Sequence, residues 1–177
     1  MAVLMLSGCS GGDEDLQRCM KLRERLLTGG CSFETVVTAD YGEAVYTFTL
    51  NCDGNREGAV SFCVSAPEEI SGISGTIDGG KGQFTFEDTI LAFPLLAEGE
   101  VSPVSAPWLL IRALRSGYIA SAGAEGELLR LSVNDSYEAD ALRLDVWIDG
   151  QDRPVRGEIL WQGRRVLSME IKSFDFL

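Results

Sequence analysis

Five cysteines and no histidine frame the chemistry open to this 177-residue chain. Without imidazole there is no Ser-His-Asp or Cys-His nucleophile system, no His-ligated zinc, and little acid–base catalysis near neutral pH. Cys19, Cys31, Cys52 and Cys63 include no C-x-x-C pair, so neither a zinc nor an iron–sulfur site is indicated and no metal is expected. Three groupings mimic working motifs. Gly75-Thr-Ile-Asp-Gly-Gly80-Lys81-Gly82 approaches the phosphate-binding loop G-x-x-x-x-G-K-[ST]. Glycine replaces the hydroxyl that would hold magnesium, and no helix N-terminus follows, so a hairpin turn is the better reading. Asn51-Cys-Asp53-Gly54-Asn55-Arg-Glu57 gathers oxygens without the spacing of a calcium loop, and Asp-Gly is a common turn pair. Glu68-Glu69 could suggest the paired carboxylates of a glycosidase, yet neighbouring residues in an extended chain point apart. The chain is expected to be neither an enzyme nor a cofactor carrier.

Cys9 stands apart from the other four. It follows the uncharged stretch Met1-Ala-Val-Leu-Met-Leu-Ser-Gly8 and precedes Ser10-Gly11-Gly12-Asp13-Glu14-Asp15. Leu6-Ser7-Gly8-Cys9 resembles the lipobox of bacterial lipoproteins: an apolar residue, two small residues, then the cysteine that receives diacylglycerol. That resemblance implies cleavage just before Cys9 and a lipidated Cys9 at the mature N-terminus. Residues 1–8 are then the remnant of a lipoprotein signal peptide, and residues 9–15 a lipidated tether. Two acyl chains attach stably where one is marginal. The expected location is the cell membrane, anchored on its extracytoplasmic face. No stretch reaches the roughly 18 apolar residues of a membrane-spanning helix, and an exported location permits disulfides.

Charge narrows the partners. Lys and Arg number 15 against 27 Asp and Glu, a net charge of −12, and no basic patch interrupts it. Such a surface repels phosphate backbones, so no nucleic acid is expected. With 45% apolar residues the chain can bury a core, and its length suits one domain, residues 16–177.

The elements that must position any site follow from periodicity. Residues 16–27 read as a helix with Leu16, Met20, Leu22, Leu26 and Leu27 near one stripe, ended by Gly29-Gly30. The period then falls to two. Residues 32–40 and 43–52 read as a hairpin around Tyr41-Gly42, with Val37 opposite Tyr46 and Cys31 opposite Cys52. This register makes a Cys31–Cys52 disulfide possible, with Cys19–Cys31 as the rival. Further strands are expected near 57–66, 70–77, 81–87, 89–96, 117–122, 126–133, 140–149, 155–162 and 164–175. A greasy helix, residues 108–115, sits between them behind Pro103 and Pro107. About ten strands are too many for one flat sheet. The expected fold is α+β and mainly antiparallel: a curled, unclosed barrel of 10–11 strands, with an N-terminal helix and a central helix plugging its concave side.

Several segments then carry a family resemblance. Ser32-Phe-Glu-Thr-Val-Val-Thr-Ala-Asp-Tyr41, Ala66-Pro67-Glu68-Glu69-Ile70-Ser71-Gly72-Ile73, Phe84-Thr85-Phe86-Glu87-Asp88, the Ser102-Pro103 loop and Pro154-Val155-Arg156-Gly157-Glu158-Ile159-Leu160-Trp161 are similar to the LolA/LolB class of lipoprotein carriers, and most closely to its Firmicutes-type relatives. The resemblance implies an open barrel around a hydrophobic cavity that takes lipoprotein acyl chains; one branch instead binds regulatory envelope proteins. Phe93, Trp108, Leu110, Ile111 and Leu114 are the candidate cavity or lid residues. The expected function is a non-catalytic module for an apolar ligand such as an acyl chain or lipoprotein. The alternative is a structural or regulatory lipoprotein that docks another envelope protein and has no ligand cavity.

Overall fold

A computed structural model describes residues 11–86, 89–94, 96–97, 100–138 and 141–177. Helix α1 (Gly11–Thr28) carries Asp13 and Glu14 in its first turn and Arg25 in its last, matching the helix dipole at both ends. It begins ahead of the expected Leu16 and takes in residues 11–15 of the segment read as tether. Its buried line is Cys19, Leu22 and Leu26, while Leu16, Met20 and Leu27 are about half exposed. The expected single stripe is really two. At 3.6 residues per turn the exposed trio lies roughly 100° round the helix from the buried one.

Among the described residues thirteen strands follow: β1 (Cys31–Asp40), β2 (Val45–Gly54), β3 (Val60–Ala66), β4 (Ser74–Asp78), β5 (Lys81–Phe86), β6 (Thr89–Pro94), β7 (Leu96–Ala97), β8 (Glu100–Val101), β9 (Tyr118–Glu125), β10 (Leu128–Asn134), β11 (Arg143–Ile148), β12 (Pro154–Trp161) and β13 (Arg164–Phe176). Helix α2 (Ala106–Ser116) lies between β8 and β9. Eleven strands form one antiparallel sheet in the order β6-β5-β4-β3-β2-β1-β13-β12-β11-β10-β9, and β7 pairs with β8 alone. The first and last strands of the chain thus meet in the middle of the sheet. Register shifts interrupt the β1–β13, β2–β3, β9–β10, β11–β12 and β12–β13 ladders. Each adds bend and twist, which is how so wide a sheet curls.

The curl can be read from α2. That helix touches β2 and β3 on one side and β10 on the other. Strands β3 and β10 are six places apart in the sheet, about 29 Å if flat at about 4.8 Å per strand. A helix about 10 Å across reaches both only if the sheet wraps round it.

The first hairpin corrects the expected register. Val37 faces Phe48, not Tyr46; Cys31 faces Gly54, and Cys52 faces Phe33. The ladder is slid by two residues, so each side chain keeps its expected face and changes its partner. The turn sets the difference. Residues 41–44 form the loop, closed by the Tyr41 N–H on the Ala44 carbonyl (3.1 Å) and by the Gly42 N–H on Asp40 Oδ1 (2.8 Å). The expected Cys31–Cys52 opposition is therefore not formed, and Cys19, Cys31, Cys52 and Cys63 are all free thiols. Gly75 to Gly82 is the β4–β5 hairpin, with Gly79 and Gly80 at positive φ, and Glu68-Glu69 lies exposed in a short 3-10 turn. No helix among the described residues is long and apolar enough to cross a membrane.

Candidate functional site

The concave side of the sheet holds α2. Pro107 stiffens its first turn and the Gly117 N–H closes its last turn on the Ala113 carbonyl at 2.8 Å. Trp108, Leu109, Leu110, Ile111, Ala113 and Leu114 are all buried, Leu110 with no exposed surface. Four of the five expected cavity or lid residues, Trp108, Leu110, Ile111 and Leu114, therefore come together as core. Phe93 belongs to β6, but its side chain lies outside the described residues, and so do Cys9 and all of residues 1–8. Leu110 reaches β12 at Gly157, whose missing side chain makes room: a Cβ there would stand 3.7 Å from Leu110 Cδ1 and 2.7 Å from Met169 Cε.

The C-terminal end of α2 is clamped. Arg23 of α1 donates from Nε to the Leu114 carbonyl (2.9 Å) and from Nη2 to the Gly117 carbonyl (2.7 Å). Arg115 returns the contact, donating to the Leu26 carbonyl of α1 and, at 2.7 Å, to the Arg56 carbonyl in the β2–β3 turn. Gly117, at the exit of the helix, is packed. A Cβ on Gly117 would lie 2.4 Å from Val133 Cγ1 and 2.8 Å from the Ala113 carbonyl oxygen. Glycine serves close approach here rather than hinge motion.

The convex face carries a charged network that sequence reasoning missed. Asp145 on β11 is 1% exposed. It accepts hydrogen bonds from Ser132 Oγ (2.6 Å) and Arg130 Nη2 (2.6 Å) of β10, and from Arg143 Nε and Nη2 (3.0 and 3.1 Å). Burial pushes its carboxyl pKa up, but these donors outweigh burial and hold it below the ordinary value. Glu158 lies opposite Asp145 across the β11–β12 ladder. It takes Arg156 and, at 3.0 Å, Arg165, and is likewise held low against burial. Beside them Trp147 is 4% exposed, covered by Arg130 and Arg156 at 5.2 and 4.3 Å from its ring. The signal available in the sequence was the alternation Arg143, Asp145, Trp147, out of phase with Leu144, Val146 and Ile148. Its partners come from other strands.

Next to this network an open groove of about 320 Å³ is lined by residues 121–125 of β9 together with Arg130, Ser132 and Arg143. Arg130 Nε is buried there without an acceptor. The face offers fixed hydrogen-bond donors. Among the described residues no three His, Cys, Asp or Glu side chains gather as a metal site. The thiols on the inner face are inert: burial raises the Cys19 and Cys31 pKa values to about 11 and Cys52 still higher, whereas Cys63 points outward, as its place on β3 requires.

No family model matches the chain, and no curated protein matches it in sequence. Solved structures do resemble it. One is an uncharacterized conserved protein from Thermus thermophilus, with 11% identity over 92% of this chain and 87% of that one, at a TM-score of 0.52. A second is a candidate outer membrane lipoprotein-sorting protein domain from Vibrio parahaemolyticus, with 8% identity over 93% and 92% and a TM-score of 0.50. A DUF1329 family protein from Desulfovibrio piger shares 7% identity over 94% and 93%, also at 0.50. Identities this low speak for fold alone. The chain has the open, helix-filled antiparallel fold that its resemblance to LolA/LolB-like lipoproteins implied.

Proposed function

We propose that this chain is a non-catalytic docking module of the cell envelope. A diacylated Cys9 anchors it to the extracytoplasmic face of the membrane, and its outer sheet surface engages another envelope protein. The observation that carries this reading is the burial of α2: the helix fills the concave side and its C-terminal end is tied to α1. What remains for recognition is the convex face, where arginines are already fixed. The envelope setting draws support from the likeness to a lipoprotein-sorting domain and from the lipobox order around Cys9.

A second reading, an acyl-chain carrier gated by Trp108, Leu110, Ile111 and Leu114, with Phe93 as a further candidate, draws on the same fold likeness. Native mass spectrometry with lipid extraction, on protein purified from membranes, separates the two. A docking module is expected at the mass of the singly anchored chain. A further co-purified lipid establishes the carrier instead. The anchor has its own test: the chain is expressed behind a complete signal peptide and labelled with a clickable fatty acid. Label on the wild type and none on Cys9→Ser is expected, and equal labelling of both refutes Cys9 as the acylated residue.

A further inference from the structure

Strand β9 is one edge of the eleven-stranded sheet. Its residues, Tyr118-Ile-Ala-Ser-Ala-Gly-Ala-Glu125, include no proline and no lysine, two devices that usually keep an edge from pairing. On one side β9 bonds to β10. On the other, among the described residues, its backbone N–H and C=O groups meet no partner. Helix α1 touches the strand, yet its Arg23 takes only the Gly117 carbonyl just before it.

In a chain of net −12, the groove beside this edge is lined by two arginines, Arg130 and Arg143, against one carboxylate, Glu125. Arg130 and Arg143 share one buried carboxylate, Asp145. Arg130 has a buried Nε without an acceptor, and its Nη1 meets the exposed Glu125 only at 3.4 Å. Gly123 stands directly opposite Arg130, and a Cβ there would meet nothing within 4 Å. The lane from the guanidinium to the free edge is therefore open. In the next lane Ser121 faces Ser132, and Arg143 Nη2 lies 3.3 Å behind it on Ser132 Oγ.

We propose that β9 receives an extended, acidic segment of a partner protein as a further strand of the sheet. Main-chain hydrogen bonds to β9 supply the affinity. Carboxylates at alternate positions of the incoming strand, on its convex side, meet Arg130 across Gly123 and Arg143 across Ser121; the first displaces Glu125. This rests on the docking reading and names its surface and the chemistry of its partner.

The test uses the whole chain and two fluorescein-labelled eight-residue peptides, one alternating Thr and Glu, the other Thr and Lys. The Thr-Glu peptide is expected to bind by anisotropy, to weaken with salt, and to slow hydrogen exchange of the β9 amides; the Thr-Lys peptide is not. Gly123→Glu places a like charge in the open lane and should weaken the Thr-Glu peptide about tenfold or more. Gly123→Lys should tighten it, and this opposite sign keeps misfolding from passing as support. Equal binding of both peptides, unchanged exchange in β9, or indifference to both substitutions overturns the proposal. Self-association that Gly123→Glu abolishes makes a second copy the occupant and overturns it too. Photo-crosslinking in membranes from Thr38, elsewhere on the convex face, distinguishes the two levels. A partner captured there while β9 stays inert leaves docking standing and removes the edge.

Discussion

Leu110→Ala tests whether α2 is core or lid. Leu110 has no exposed surface and lies against the Gly157 position of β12. The substitution removes three side-chain carbons, worth about 2.4 kcal/mol at about 0.8 kcal/mol per methylene. The clamps from Arg23 and Arg115 keep α2 from settling into the hole. An unrelaxed cavity of about 80 Å³ adds about 2 kcal/mol. The expected loss is about 4 kcal/mol, or about 8–16 °C in melting temperature for a chain of this size. Guanidinium denaturation followed by far-ultraviolet circular dichroism measures it, with an unchanged slope showing that the same surface unfolds. Leu110→Met, which conserves volume, should lose less than about 1.5 kcal/mol. A loss below about 1.5 kcal/mol for Leu110→Ala, together with altered uptake of a fluorescent fatty acid, refutes the locked-core account and restores the lid.

Two further outcomes follow from the convex network and the thiols. Asp145 and Glu158 hold their protons less tightly folded than unfolded, so stability rests on their ionised forms. It should be complete above the ordinary carboxylate range near pH 4–5 and decline as pH falls through that range toward the lower folded values. Asp145→Asn should flatten that decline in denaturation curves taken between about pH 3 and 7; a profile as steep as the wild type's would show that the network does not carry the acid response. In a Cys9→Ser chain at about pH 8, a thiol reagent should modify Cys63 rapidly, while Cys19, Cys31 and Cys52 react only on unfolding. Rapid modification of a second thiol would mean that the inner face opens.

The face of each strand was legible in the sequence and its partner was not. Phe33, Thr35, Val37 and Ala39 alternate with polar residues, as do Leu50 and Cys52, and all of them are buried. A slip of one residue would have exposed the whole set, so alternation excludes it. A slip of two keeps every residue inside, and alternation is blind to it. The choice fell to residues 41–44, where Tyr41-Gly42 looked like a tight turn but belongs to a four-residue loop. Distance in sequence hid the convex network in a similar way. Arg143 and Asp145 are neighbours on β11, but Arg130 and Ser132 come from β10 and Arg156 and Glu158 from β12, and no local pattern specifies those pairings.

The two faces of the sheet are linked by one property of α2. Leu109, Leu110 and Ile111 are consecutive, so their side chains cover about 200° of the helix surface, and a helix apolar over so wide an arc must be surrounded. The curled sheet and α1 surround it, and the concave side is thereby filled with side chains of the protein itself. On the docking reading, recognition falls to the outer face, where Asp145 and Glu158 hold Arg130, Arg143, Arg156 and Arg165 in place. A long side chain fixed on folding loses less freedom on binding, so a surface of this kind binds with less entropic cost than one of free arginines. On that reading the clamped helix inside and the ordered arginines outside are parts of one design: the interior supplies rigidity, and the proposed contact is the open edge of β9.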